Sequence, residues 1–355
     1  GRQSTLRGAI QRRCRAVSKW DKMKDKLMTS IAQPLVTVVT PVYNGEKYLA
    51  ECIESVLAQT YVNWEYYIVN NCSTDRTLSI AESYASKDAR VRVITNPEFV
   101  SRGENHNIAF RQTSLNSQYC KMVHADDWLF PDCIAKMVAL AEAHPTVAVV
   151  GSYGLRKDRV VWDGLPYPSS FMTGREVCRR VFMNEIFVFG TPTSVLFSSD
   201  VVRSRPAFHN VDNEHADAEA CFDVLKDRDF GFVHQVLSYT RIHADNASTF
   251  DEAGMWLPEI EILLKYGPSY LSQEEFTQET KKIWDQYYTF LGSRVFRNRH
   301  KGFWTYHRTT LKRLGHPLKA ERVAKAVLTK VFDLLLNPLN TALRIAGRIG
   351  GPQLS

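Results

Sequence analysis

From Pro34 onward the chain alternates short β-branched apolar runs with stretches whose apolar positions recur every three or four residues. Leu35 to Val42, Trp64 to Val69, Val91 to Thr95, Tyr119 to His124 and Val147 to Gly151 read as strands. Each is short, nearly continuously apolar and closed by polar or turn-forming residues, as strands buried on both faces are. Between them, Glu46 to Ala58, the segment after Ser73-Thr74, Ser101 to Arg111 and Pro131 to Ala143 read as helices. In the first of these Leu49, Ile53, Val56 and Leu57 share one face. This alternation predicts an α/β fold: a mainly parallel sheet with right-handed crossovers and helices on both faces. Such sheets bind ligands at the carboxyl ends of their strands. Thr40 to Asn44, Asn70 to Asp75, Asn96 and Asp126-Asp127 all fall at such ends.

After Gly151 the pattern loosens into a segment rich in Pro, Gly and aromatics (Trp162 to Phe171), a helical stretch, and Phe189-Gly190-Thr191-Pro192-Thr193-Ser194. Loosely patterned segments in this position commonly shape a second substrate's pocket. The aromatics from Trp162 to Phe189 either stack on a ligand or fill a core. Asn213 to Leu225 reads as a helix on which Asp217 shares a face with Cys221, Val224 and Leu225, and Glu219 shares one with Asp223 and Lys226. Asp217 is therefore expected to point inward and Glu219 outward. Phe230 to Ile242 returns as strand. Residues 251–320 are helical and aromatic, and the segment after Glu321 has an apolar stripe broken at Pro338.

Composition narrows this picture. A chain of 355 residues with 44% hydrophobic residues can bury a substantial core. The formal charge of +7 signals an attraction for anions. It collects at the ends of the chain: residues 1–33 carry a run of Arg and Lys, and between Arg294 and Arg348 the acids are Glu321 and Asp333 alone. No nucleic-acid motif accompanies the charge, so nucleic acid is not an expected partner. A basic apolar stripe fits a helix lying on an anionic bilayer, and docking on the protein's own core is the other outcome. No stretch is long and apolar enough to span a membrane. Seven cysteines, odd in number and never spaced C-x-x-C, read as reduced structural thiols of a reducing compartment rather than a zinc site.

Asp126 and Asp127 are the focal chemistry. On a strand, adjacent side chains point to opposite faces, which would give one acid to a metal and the other to a sugar hydroxyl. Asp217, near a helix start, is placed to be an ionised base. His243, in Arg241-Ile242-His243, is a candidate metal ligand beside the acids.

Val38-Val39-Thr40-Pro41-Val42-Tyr43-Asn44, Ser55-Val56-Leu57-Ala58-Gln59-Thr60-Tyr61, Val69-Asn70-Asn71-Cys72-Ser73-Thr74-Asp75 and Ala125-Asp126-Asp127, in that order and spacing, resemble the family 2 glycosyltransferases. The resemblance covers about residues 35–250. It implies a GT-A fold, a nucleotide-binding α/β/α sandwich, and inverting transfer of a sugar from a nucleotide diphosphate donor. It places Thr40, Pro41 and Tyr43 in the nucleoside pocket, Asn71 against the base, and Asp126 on the ribose or donor sugar. Asp127 would hold Mg2+ or Mn2+, Asp217 would be the base, and Arg241-Ile242-His243 would lie near the diphosphate. Asn70 and Asn96 join the donor-binding set by their strand-end positions. The chain departs from the family pattern in having Asn70-Asn71 where two acids are usual, and Gly103-Glu104-Asn105 where Ala-Arg-Asn is frequent. Arg102 is the substitute cation for the second departure. The Gln-x-x-Arg-Trp motif of processive members is absent near Arg179 and Arg180, which favours addition of a single sugar.

The expected organisation is a basic arm (1–33), a GT-A domain (34–250, with a nucleotide-binding half to 151 and an acceptor half from 152), a helical extension (251–320) and a basic amphipathic segment (321–355). The expected partners are a UDP- or dTDP-sugar and a glycan or lipid-linked acceptor. Contact with the cytoplasmic face of a membrane is expected through residues 1–33 and 321–348. A nucleotidyltransferase and a catalytically degenerate sugar-nucleotide scaffold are the competing classes. The first would normally show a Gly-rich phosphate loop after the first strand, and Thr40 to Asn44 is not one.

Overall fold

The computed structural model describes residues 33–162, 164–243, 253–296 and 301–336. Nearly all of the basic arm, with Cys14, and the residues after Leu336 lie outside the described residues.

The first half runs β1 (Val36–Val42), α1 (Leu49–Leu57), β2 (Trp64–Asn70), α2 (Thr77–Ala85), β3 (Val91–Thr95), α3 (Arg102–Phe110), β4 (Tyr119–Met122), β5 (Trp128–Leu129) and α4 (Cys133–Ala143). The second half adds β6 (Val147–Arg156), β7 (Arg159–Val161), β8 (Phe171–Met172), α5 (Gly174–Phe182), β9 (Val195–Ser198), α6 (Ser199–Arg203), α7 (Ala216–Val224) and β10 (Asp229–Tyr239). All ten strands join one sheet, whose main path is β3-β2-β1-β4-β9-β6-β10-β5. The block β3-β2-β1-β4 is parallel, as is β6 with β10. β9 runs antiparallel between β4 and β6 and joins the two parallel blocks, and the short β5, β7 and β8 also pair antiparallel. The four residues of β9 carry too little periodicity to be read from sequence.

β1 is buried at every position. Its alternation separates two cores, because Val36, Val38 and Val42 face α1 and α4 residues such as Ile53 and Ile134, whereas Val39 faces Phe110, Met122 and Phe197. Two covered faces explain why the strands read as continuous apolar runs. The six described cysteines are free, and five are fully buried, as reduced structural thiols would be.

The helical extension consists of α8 (Ala253–Tyr270), α9 (Gln273–Arg294), α10 (Lys301–Arg313) and α11 (Ala320–Leu336). It has its own core of Leu257, Ile260, Trp284, Tyr287, Leu291, Phe303 and Leu311. Ser272 and Glu275 form a capping box at the start of α9. Glu275 also takes the Arg179 guanidinium at 2.5 Å, tying the extension to α5. α11 packs on α9 so closely that a Cβ on Gly292 would meet Ala326 at 2.8 Å. Its outer face leaves Leu328, Val331, Phe332 and Leu336 exposed. Among the described residues no helix is long and apolar enough to cross a membrane.

Candidate active site

β4 ends at Met122, two residues earlier than its apolar run suggests, and the chain turns, with the Asp127 amide donating to the His124 carbonyl at 3.0 Å. The strand alternation expected to separate Asp126 from Asp127 therefore does not operate. Instead, one ligand atom from each of His124, Asp126 and Asp127 lies within 4.8 Å of the others. Asp127 is 3% exposed. One of its carboxylate oxygens accepts from Thr193 Oγ1 at 2.6 Å and the other from the Arg241 amide at 3.0 Å. Burial, reinforced by the neighbouring Asp126 charge, pushes its carboxyl up to about 7. Asp126 is half-buried and meets His243 Nε2 at 3.1 Å.

Long-range elements hold this turn. Arg241, just past β10, donates through Nε to the Asp126 carbonyl at 3.1 Å and through Nη2 to Glu51 on α1, with its guanidinium over the Tyr48 ring. The Thr193 hydroxyl accepts from the His124 amide at 3.1 Å while donating to Asp127. Thr193 is fixed in turn by Lys121, a fully buried lysine whose ammonium donates to the Thr193 and Val195 carbonyls at 2.5 and 2.8 Å. Gly190 begins this turn at φ 60°, where a Cβ would lie 2.1 Å from Ser194 Oγ. Thr193, Lys121, Glu51 and His124 were not singled out by sequence reasoning. A lysine inside an apolar strand was the one signal that pointed to them.

Asp217 lies in the first turn of α7, and its side chain accepts from the Ala218 amide at 2.9 Å. Burial pushes the His124 imidazole down, and the nearby Asp126 and Asp217 charges oppose that shift. The Asp217 charge thus reaches the His124 imidazole of the acid turn. Glu219 does not point outward. It is 4% exposed and is met by Lys265 at 2.7 Å, Tyr266 at 3.3 Å and Asn210 at 3.0 Å. The face that helical spacing assigns to solvent is covered by α8, which sequence periodicity cannot register. Three histidines converge, with His106 Nδ1 3.4 Å from His209 Nδ1 and the His106 and His124 rings 5.2 Å apart. Burial pushes His209 down to about 3, with His124 and Arg102 adding to the effect.

The loops after β1, β2 and β3 differ in detail from expectation. Asn44 takes a left-handed φ of 48°, and its side-chain Oδ1 accepts from the Thr74 amide at 2.8 Å, stitching the loops after β1 and β2 together. Asp75 completes the seam. Burial works against its charge, but the Thr77 hydroxyl, the Thr77 amide and the Glu46 amide outweigh this and hold its carboxyl below the usual range. Thr40 is turned into the core, where its hydroxyl bonds Tyr66 at 2.8 Å, so its side chain does not line a pocket. Pro41 is also buried, whereas Tyr43 is 51% exposed and packs edge-on against Phe99. Asn71 is 2% exposed. Its carbonyl accepts from Asn96 Nδ2 and from the Val100 amide, both at 3.0 Å, and its Nδ2 donates to the Val100 carbonyl at 2.9 Å. Among the described residues its second Nδ2 hydrogen meets no acceptor. Asn96 also donates to Asn105 at 2.9 Å, and Asn70 donates to Thr95 and accepts from the Ser73 amide. Arg102 is exposed at the head of α3, while Glu104 is paired with Arg111 at 2.6 Å.

Residues 37–205 match the family model described as glycosyl transferase family 2. EpsE of Bacillus subtilis (strain 168) is 32% identical over 168 residues, 44% of this chain and 59% of that protein. The chain spans 26% to 59% of the lengths of the first curated relatives it matches. A crystal structure of S. aureus TarS residues 1–349 with UDP-GlcNAc superposes with a TM-score of 0.58 at 17% identity, covering 86% of both chains. A mannosyltransferase of Pyrobaculum calidifontis with GDP-Man and Mn2+ gives 0.53 at 14% identity, over 85% of this chain and 88% of that one. These two likenesses are of fold, and the fold is GT-A. With the family model, the relatives and the architecture in agreement, residues 37–205 of the chain are a family 2 glycosyltransferase segment on a GT-A fold.

Proposed function

We propose that the protein transfers one sugar, with inversion, from a nucleotide diphosphate donor to a hydroxyl of a glycan or lipid-linked acceptor. The observation that carries this reading is a paired-acid turn at the carboxyl ends of a parallel sheet, within reach of the charge of the helix carboxylate Asp217. The curated relatives of similar sequence, named for glycosyl transfer, support it, as does the nucleotide sugar bound by each of the two solved structures.

Asp127, with Asp126 beside it, is the holder of Mg2+ or Mn2+. The residues fit such an ion, because two carboxylates forced together in a buried turn are relieved by a cation between them. A cation held there supplies neutralisation of the negative charge on the departing nucleoside diphosphate. Asp217 takes the proton of the attacking acceptor hydroxyl on the opposite face of the sugar. Asp126, besides flanking the cation, meets His243 and faces the ribose or donor sugar. Tyr43 offers an exposed ring to the nucleoside, and Pro41 its wall. The Asn71 Nδ2 hydrogen suits a base carbonyl, as UDP and dTDP present, with Asn70 and Asn96 fixing its amide. Arg102 is the cation available to phosphate, since Glu104 is neutralised by Arg111.

The exposed stripe Leu328, Val331, Phe332 and Leu336, bordered by Lys325 and Lys330, is the part of the basic C-terminal segment offered to the cytoplasmic face of an anionic bilayer. The opposite face of the same helix docks on α9.

The test is a screen of nucleotide sugars for divalent-cation-dependent release of nucleoside diphosphate, with glycan and lipid-linked acceptors and anionic vesicles. Release that requires both cation and acceptor is the expected outcome. Binding of nucleotide sugar without turnover across every acceptor would leave a scaffold as the better reading. In the same mixture, co-flotation with vesicles should weaken in Leu328→Lys/Phe332→Lys.

A further inference from the structure

His243 was the histidine expected at the cation, yet its Nε2 meets Asp126 at 3.1 Å, and it does not belong to the group whose ligand atoms converge. His124 does. Its ligand atom lies within 4.8 Å of the carboxylate oxygens of both acids. A divalent ion bound at about 2.1 Å from each ligand separates ligands by roughly 3 to 4 Å, so a small contraction closes this set around one ion. His124 Nε2 is buried and has no hydrogen-bond partner among the described residues, an omission that native interiors rarely tolerate without an occupant. The ring is also held in place from the backbone. Thr193 Oγ1 accepts from the His124 amide and donates to Asp127, and the Asp127 amide closes on the His124 carbonyl. The imidazole and the buried carboxylate are therefore carried by a single rigid turn.

We propose that His124 is a nitrogen ligand of the cation held by Asp126 and Asp127, and that it biases the site toward transition-metal ions over Mg2+. His243 is correspondingly a positioning residue that orients the Asp126 carboxylate. The bias follows from donor chemistry. Carboxylate oxygens serve Mg2+ and Mn2+ alike, but Mg2+ sheds water reluctantly and gains little from imidazole, whereas Mn2+ and Co2+ accept it readily. This inference rests on the reading of Asp127 as the cation holder.

The experiment is divalent-ion binding to the full chain in the absence of nucleotide, by titration calorimetry with Mg2+, Mn2+ and Co2+, together with electron spin-echo modulation of the Mn2+ form. The wild type should bind Mn2+ and Co2+ at least about tenfold more tightly than Mg2+ and show nitrogen modulation on Mn2+. His124→Asp, which restores an all-oxygen set, should erase most of that preference and the modulation. His243→Ala should weaken all three ions together and keep the modulation. Wild-type Mn2+ without nitrogen modulation overturns the proposal even if the His124 variants do not fold. So does modulation that survives in His124→Asp but vanishes in His243→Ala. Asp127→Asn separates the two levels: if it binds ions like the wild type, the reading of Asp127 fails. If it loses them while His124→Asp keeps the wild-type preference, only the role of His124 fails.

Discussion

The carboxyl ends of β2 and β3 and the carboxyl end of β4 lie on one edge of the same sheet, and they solve the burial of polar groups in opposite ways. At β2 and β3, Asn70, Asn71, Asn96 and Asn105 are neutral amides whose donors and acceptors largely satisfy one another or the backbone. At β4, Asp126 and Asp127 are like charges brought within reach of each other, one of them almost wholly buried. A satisfied amide network stabilises the loops it joins. A buried acid pair without a cation costs stability and is retained for what it can bind. The two regions should therefore respond to substitution in opposite senses.

The largest effect is expected outside both, at the residue that completes the acid side. Asp217→Asn should lower transfer by about 10² to 10⁴ while nucleotide-sugar affinity stays within a few fold. Transfer near the wild-type rate would remove Asp217 from the mechanism.

Asp127→Asn should abolish cation-dependent nucleotide binding and yet raise the stability of the cation-free protein at alkaline pH. The sign follows from linkage. The Asp127 carboxyl lies at about 7 in the folded chain and near 3.9 when unfolded, so the folded state holds the extra proton between those values. Stability from this group falls as pH rises from about 4 through 7, by a few kcal/mol at most. Melting curves of wild type and variant should diverge over that window, the wild type losing ground toward pH 8. Parallel curves would show that Asp127 is not an unrelieved buried acid.

On the amide side, Asn96→Ala removes the donor shared by Asn71 and Asn105 and leaves a buried carbonyl unpaired. A loss of about 1 to 3 kcal/mol in denaturant unfolding is expected, with the cation affinity unchanged. An unaltered unfolding midpoint would mean that solvent or a neighbour replaces the bond.

Much of the fold was legible because its signals are local. β-branched runs closed by turn residues located β1 to β4 and β6, and amphipathic spacing located α1, α3, α4 and α7, all within a few residues. β9 and the short strands β5, β7 and β8 were not legible, since two to four residues exist as strands only through their partners. Thr40 shows a different limit. It sits at a polar strand end, but the alternation of β1 turns it toward Tyr66 and Cys52 rather than toward the ligand edge.

The sequence by itself determined that polar clusters would gather at one edge of a mainly parallel sheet, because chain direction and strand ends are written in local patterns. It also marked Asp126-Asp127 as the focus of the chemistry. Only the tertiary structure decided that the two acids converge with His124, that His243 is committed to Asp126, and that Glu219 is buried against Lys265 and Tyr266. Each of these depends on a turn closed by Thr193 and Arg241, or on a face covered by α8, from residues far along the chain. Periodicity reports a residue's neighbours three and four positions away, and it carries no record of what packs on the face they form.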